Sequence, residues 1–492
     1  MKKISFFILF LLAVTNFFSC KKSFLEIQPQ QNIDQDNAIV NIGSTRSAVM
    51  GLYSFMQNAN YYGRTLLLIP DLMTDNIVQS RQAGTRYSNY ERRVVNSSDA
   101  YAEAFWENAY KLIINANAII NKAPLIQVLQ KDSIEMRQLI GEAYALRAFA
   151  YLDLARFFCQ PWNTTTDSSH MGVPIVLNQY PNDVNNVSYP ERSTIAQTYN
   201  RVITDLNTAL TFLPSNNEVY FNNSINTDLF KVRINRLSTF AILARAELYK
   251  ENWAAAEAAA TVVINSNRYA LLNGLSIVND YRTPQNIESI FELANNSFDN
   301  TGTEGIAYIF NQNGYGEMLG TQNLYTNYNS TDVRRGFMTL GNRNAAGAET
   351  NVPLINKYNN ITNYQEHIKL FRLSEMYLIR CEARAKQTGG NFSGSQADLQ
   401  VIVTARNSSS LTVVSTNTTP ASVITRMLSE RRRELAFEGH RLFDLTRNRL
   451  GFTKFRSDGT TVSVSATSFR NILPIPISEM RANPNLKQNP SY

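Results

Sequence analysis

Histidine and cysteine are scarce in this chain: each occurs three times in 492 residues. His170, His367 and His440 lie far apart in sequence, and two of them fall in or beside expected helices. Structural or surface roles are therefore expected for them in place of metal or base chemistry. No G-x-S-x-G elbow, H-E-x-x-H pair, phosphate-cradling glycine loop or C-x-x-C pair occurs, so the common nucleophile, zinc and nucleotide chemistries have no foothold. Asp71 and Asp75 are spaced as a pair of glycosidase carboxylates could be, but one is expected to cap a helix and the other to face water. No catalytic residue, metal ligand or cofactor is assigned. An excess of one charge is missing as well. The formal balance is +7, basic residues alternate with acids, and they do not gather with stacking aromatics along a groove, which argues against nucleic acid as a partner.

Long apolar runs are absent except at the start. Lys2 and Lys3 precede an almost wholly apolar stretch, Ile4 to Phe18, shorter than the roughly 20 residues that span a bilayer. Cys20 follows directly after Phe18 and Ser19. This arrangement reads as a lipoprotein signal over residues 1–19, cleaved before an acylated Cys20, so that lipid anchors the chain to a membrane. Loss of Lys2 and Lys3 lowers the formal charge from +7 to +5. Cys159 and Cys381 then remain, both in apolar helical contexts. They read as small buried thiols, with a disulfide between them left open. The roughly 470 residues after the signal can bury a large core.

Helical periodicity is abundant. Ala102, Trp106, Ala109, Ile113, Ala116 and Ile120 step by fours and threes along one face, and Leu139, Ala143, Leu146 and Ala150 do the same before Pro161. Ile195, Tyr199, Val202, Leu206, Ala209 and Leu213 form a third face, opened by a Thr194-x-x-Gln197 capping-box pattern. Leu237–Tyr249 and Trp253–Ile264 form one helical pair. Phe371–Ala385 and Ala397–Arg406 form another, joined by QTGGNFSGSQ. Small residues in mid-helix, an aromatic near the end and a short turn suit tetratricopeptide-like hairpins that bury their faces against one another. The expected class is mainly α, a scaffold of such hairpins with long loops and a few short strands. Trp106 and Trp253 belong to that scaffold. The chain from 265 to 365 is rich in Asn, Gly, Thr and Tyr and is expected to form loops and short strands on one side of it, as are 79–90 and 160–189.

The densest charge cluster is ERRRELAFEGHRLFDLTR, Glu430 to Arg447. Glu430, Glu434 and Glu438 repeat every four residues and would form one ridge on a helix, with Arg431, Arg432, Arg433 and Arg441 reaching back to it and Gly439 stopping the helix. With Leu435, Phe437, Leu442, Phe443 and Leu445 threaded through it, the stretch reads as a partly buried ion-pair network that locks the C-terminal part.

This stretch resembles the hallmark helix of the SusD/RagB family of nutrient-binding outer-membrane lipoproteins, matching at Glu430, Arg431, Glu434, Leu435, Phe437, Glu438, Gly439, Arg441, Asp444, Leu445 and Arg447. Phe24-Leu25-Glu26 with Pro29 resembles the family's opening, and Trp106, Tyr110, Ile113, Ala116 and Asn117 resemble its W-x-x-x-Y-x-x-I-x-x-A-N helix. The ending LPIPISEMRANPNLKQNPSY resembles the family's, with Ser491 where Gly is usual; Cys159 likewise stands where Gly commonly follows two aromatics. The resemblance implies an N-terminal region over 20–230 and a C-terminal region over 231–492, packed as one unit. It implies a non-enzymatic lipoprotein on the exterior of the outer membrane that binds a nutrient, usually a glycan, and delivers it to a SusC-like TonB-dependent transporter. A peptide-binding, RagB-like role is the second reading, and a surface glycosidase the third. Sugar binding needs aromatic faces and planar hydrogen-bonding groups, which the loops hold. Arg81, Arg86, Tyr87 and Tyr90 share one loop, Trp162 lies in a second, and Tyr315, Tyr325 and Tyr328 lie in the central loops. Trp162 is the leading candidate, as the one tryptophan outside the expected scaffold.

Overall fold

Asp99 starts the first very long helix of the computed structural model, its carboxylate accepting from the N–H groups of Tyr101 and Ala102. The structure describes residues 38–179, 187–343, 349–408 and 417–492; Cys20, the signal segment and the Phe24–Pro29 opening lie outside them. The principal helices are α1 (Ile42–Gln57), α2 (Thr65–Leu72), α3 (Ala100–Lys122), α4 (Ser133–Phe158), α5 (Ile195–Phe212), α6 (Arg236–Tyr249), α7 (Trp253–Asn265), α8 (Leu373–Lys386), α9 (Phe392–Arg406), α10 (Pro420–Glu434) and α11 (Arg441–Arg447).

Local signals set most of these bounds. The periodic face of α3 is buried from Ala102 to Ile120. Both bonds of the Thr194–Gln197 capping box are formed at the start of α5, at 2.8 and 3.1 Å. Asn235 and Ser238 make the same reciprocal cap on α6. Helix α9 begins at Phe392, earlier than Ala397, because Asn391 accepts from the Gly394 N–H and Ser395 is buried against the Cys381 carbonyl. The small residues of the glycine-rich segment thus let a helix turn pack closely. Helices α3 to α7 pack each against the next, α8 and α9 continue the series, and α10 closes on α8. This is the expected stack of helical hairpins.

The strands longer than two residues are β1 (Ile77–Gln79), β2 (Ser289–Leu293), β3 (Met318–Gly320), β4 (Met338–Arg343), β5 (Glu349–Ile355), β6 (Ile368–Arg372), β7 (Phe452–Phe455) and β8 (Thr461–Val464). An antiparallel sheet has the order β1-β3-β5-β4, β2 pairs with β6 inside the core, and β7 and β8 form a hairpin.

The charge cluster is buried, but its partners differ from those expected. Helix α10 ends at Glu434, so Glu438 lies in a turn beyond the ridge, where Phe437 and Gly439 both adopt positive φ. A Cβ on Gly439 would stand 2.0 Å from the Leu66 carbonyl oxygen, so only glycine fits. Glu434 accepts from Arg334 at 2.8 Å, Arg372 at 2.8 Å and Arg406 at 2.9 Å, all from other elements. Burial alone would raise its pKa; Arg406, Arg372 and Arg334 hold it well below the usual carboxylate range. Glu438 is met by Lys357 and Arg372. Of the cluster's own arginines only Arg433 serves the ridge, through Glu430. Arg431 pairs with Asp444 at 2.8 Å, Arg432 reaches Asn76 at 2.9 Å, and Arg441 holds Asp75 at 2.8 Å.

Asp71 and Asp75 are both buried, and neither faces water. Asp71 accepts from the Phe437 N–H at 2.6 Å, and burial pushes its carboxyl up to about 7. The three histidines are engaged structurally: His170 between Thr165 and the Gln160 carbonyl, His367 against Glu292, and His440 buried beside Arg431. Cys159 and Cys381 are separate buried thiols, raised by burial to about 11 and about 12.

Candidate functional site

The loop after β1 begins with Ser80 and Arg81, and the register of the sheet brings it against β5. The Ser80 hydroxyl donates to Glu349 at 2.6 Å and the Arg81 N–H donates to the same carboxylate at 2.9 Å. The β7–β8 hairpin leans in from the other side. Its turn, Arg456-Ser457-Asp458-Gly459, closes with Gly459 at φ +83°. Glu91 clamps that turn, accepting from the Ser457 N–H at 3.0 Å and its hydroxyl at 2.8 Å, while also accepting from the Gln79 N–H at 2.8 Å. Arg81 Nε donates to the Ser457 carbonyl at 2.7 Å. Below, Lys454 is buried with its ammonium on the Ile77 carbonyl at 2.8 Å, and burial lowers its pKa to about 7.

Between sheet and hairpin these bonds enclose a cavity of about 480 Å³. Val78, Leu319, Val352, Pro353 and Phe455 give it apolar walls; Arg81, Gln322, Asn323, Glu349, Thr350 and Arg456 give it polar ones. This mixture of apolar area and a few placed polar groups is what small-ligand sites require. Arg432 of the charge cluster fixes the rim, donating to Asn323 at 2.9 Å.

A ridge of tyrosines adjoins the Arg81 loop. Gln82 donates to the Arg343 carbonyl at 3.3 Å and Arg343 donates to the Tyr315 carbonyl at 2.7 Å. Gly316, at φ +53°, lets that arginine approach; a Cβ there would lie 2.5 Å from it. Tyr315 is 40 % exposed and meets Tyr308 edge-on at 4.8 Å, and Tyr308 meets Tyr364 at 6.1 Å. Arg86 pairs with Glu304, as does Arg64, and lies over the Tyr87 ring at 5.4 Å. Burial alone would raise Glu304; Arg86 and Arg64 lower it. Beside them Glu317 is raised by burial.

The sequence candidates therefore divide. Arg81, Arg86 and Tyr315 are carried by segments that meet on one face. Tyr87 and Tyr90 follow the two arginines but at the start of a short helix, Ser88–Arg92, and turn inward: both rings are buried, and the Tyr90 hydroxyl is spent on Asp99. Tyr328 is buried too, donating to the Arg433 carbonyl at 2.8 Å. Tyr325 is half-buried under Arg335, 4.6 Å away. Trp162 is not outside the scaffold. It packs edge-on against Tyr199 of α5 at 5.6 Å with Lys250 over its ring, and borders a space of only about 20 Å³, none of whose lining residues borders the large cavity. Tyr308, Tyr364, Arg343, Glu349 and Arg456 escaped sequence reasoning. Only the last carried a signal, the Asp458-Gly459 dipeptide between two alternating runs, which marks a hairpin.

Among the described residues, no cluster of His, Cys, Asp and Glu could hold a metal ion, and no helix is long and apolar enough to cross a membrane. A frame of stacked helical hairpins thus holds loops around a cavity with both polar and apolar walls. The chain belongs to the SusD family: residues 23–248 match the family model described as starch-binding, associating with outer membrane, and residues 249–492 match the SusD family model. SusD-like protein P2 of Formosa agariphila is 23% identical over 535 residues, spanning 100% of this chain and 99% of that one. A SusD superfamily protein from Bacteroides vulgatus superposes with a TM-score of 0.80 at 26% identity, covering 92% of this chain and 100% of that chain. A laminarin-binding SusD-like protein shares the fold, with a TM-score of 0.72 at 20% identity, 92% of this chain and 100% of that one.

Proposed function

We propose that this chain captures a glycan at the outer membrane, anchored by lipid on Cys20 and facing the exterior, and passes it unaltered to a SusC-like TonB-dependent transporter. The observation that carries the reading is the cavity of about 480 Å³ with its mixed apolar and polar walls, whose Arg81 loop connects through Gln82 and Arg343 to the Tyr308–Tyr315–Tyr364 ridge. Ring faces cover the C–H surfaces of sugars, and amides and guanidiniums answer hydroxyls. The family model's starch-binding description and the laminarin-binding neighbour support a glycan over other nutrients. Calorimetry of the full chain against oligosaccharide panels tests it. The expected result is saturable binding without product release, weakened about tenfold by Tyr315→Ala, since an aromatic contact contributes about 1 kcal/mol beyond its buried area. Trp162→Ala should leave affinity unchanged, its ring being spent on Tyr199. Release of shorter sugars would make the protein a glycosidase, and saturation by peptides alone would favour the RagB-like role.

A further inference from the structure

We infer that the glycan taken by this cavity is acidic, bearing a carboxylate or a sulfate ester that lies between Arg81 and Arg456. The inference rests on the glycan reading above and specifies its charge. Five buried arginines elsewhere, Arg334, Arg372, Arg406, Arg431 and Arg447, all meet carboxylates within 3.4 Å. The two guanidiniums lining the cavity, Arg81 exposed and Arg456 half-buried, have no such partner among the described residues.

Among the described residues, neither Arg81 nor Arg456 forms an ion pair. Arg81 spends only Nε, on the Ser457 carbonyl, and leaves its two terminal nitrogens without a protein acceptor. Arg456 is half-buried, its Nε is enclosed with no acceptor at all, and its side chain makes no hydrogen bond. The nearby acids are engaged. Glu349 is held by Ser80 and the Arg81 N–H, Glu91 by Ser457 and Gln79, and Asp458 by the N–H and hydroxyl of Thr460. Two positive planar forks thus stand beside one cavity with no carboxylate hydrogen-bonded to either among the described residues, Asp458 being held chiefly by Thr460 and only secondarily lowered by Arg456. A guanidinium suits a carboxylate or a tetrahedral oxyanion because two parallel N–H groups meet two oxygens at once. The apolar walls, Val78, Leu319 and Phe455, strengthen that attraction by excluding water around it.

Three oligosaccharide sets of matched length decide the matter by calorimetry on the full chain: uronate-bearing, sulfated and neutral. One anionic set should bind about tenfold or more tighter than the neutral set, and its affinity should fall as salt rises, because screening weakens exposed charge pairs. Which set wins separates carboxylate from sulfate. Arg456→Gln and Arg81→Gln should each lower that affinity about tenfold and flatten the salt dependence while the melting temperature holds, a single charge-assisted contact at this depth being of that size. Arg449→Gln, an exposed arginine outside the cavity, should change nothing. Neutral sugars bound as tightly, without salt dependence, would overturn the charge assignment and leave glycan capture standing. No binding to any of the three sets would overturn both.

Discussion

Lys454 shows how the site's support depends on a single side chain. It is buried beneath the hairpin with a backbone carbonyl as its hydrogen-bond acceptor, and burial lowers its pKa from 10.5 to about 7. Between those values the unfolded chain binds a proton there that the folded chain refuses. The folded state is therefore penalised as pH falls from about 10.5 towards 7, and the penalty stops growing below 7 because the native lysine then charges as well. Thermal melts should show the wild type gaining stability relative to Lys454→Met as pH rises from 7 to about 9. A parallel pair of pH curves would contradict the buried ammonium. The tyrosines teach a related lesson. Tyr87, Tyr90 and Tyr315 all come from Asn- and Gly-bearing stretches expected to be loops, yet Tyr87 caps and Tyr90 lies within a short helix, Ser88–Arg92, and only Tyr315 faces out. Composition places a residue in a loop; what packs over the loop decides whether its ring meets water.

At the scale of elements, α10 and the turn after it hold distant strands and helices together through Glu434. Its partners lie 28 to 100 residues away in sequence and come from α9, β6 and the segment before β4. Breaking one member of a fully buried network costs about 3–5 kcal/mol, since the remaining charges lose their counterpart inside the protein. Glu434→Gln should lower stability by about that amount in chemical denaturation; a loss near zero would mean water reaches the network. This element also marks where the sequence was readable and where it was not. The α5 cap, the α3 face and the burial of the charged stretch follow from spacings of three and four residues, and all three were visible. The answering cations Arg334, Arg372, Arg406 and Lys357 were not, because pairing across elements leaves no periodic trace. Loop composition singled out the Arg81 loop and Tyr315 as candidates, whereas Arg343 and Glu349 join them only through the register of a sheet whose strands are far apart in the chain.

For the whole molecule, the helical stack and the cavity sit together in a chain with no described membrane-crossing helix. The attachment proposed above is the lipid on Cys20. Cys20→Ala should abolish incorporation of labelled fatty acid and move the protein out of the membrane fraction, with its glycan affinity unchanged because the cavity is built from residues 78–459. Label uptake by the variant would place the acyl chain elsewhere.

The cavity's lining includes the Arg456–Gly459 tip, and none of the residues that line it supplies a partner to Glu434 or Glu438. The cavity's lining and the partners of Glu434 and Glu438 are therefore drawn from different residues, joined at the rim by Arg432 and Asn323. One chassis can be refitted with new tips to suit a different diet, and each refit leaves the bolts that hold the chassis together untouched.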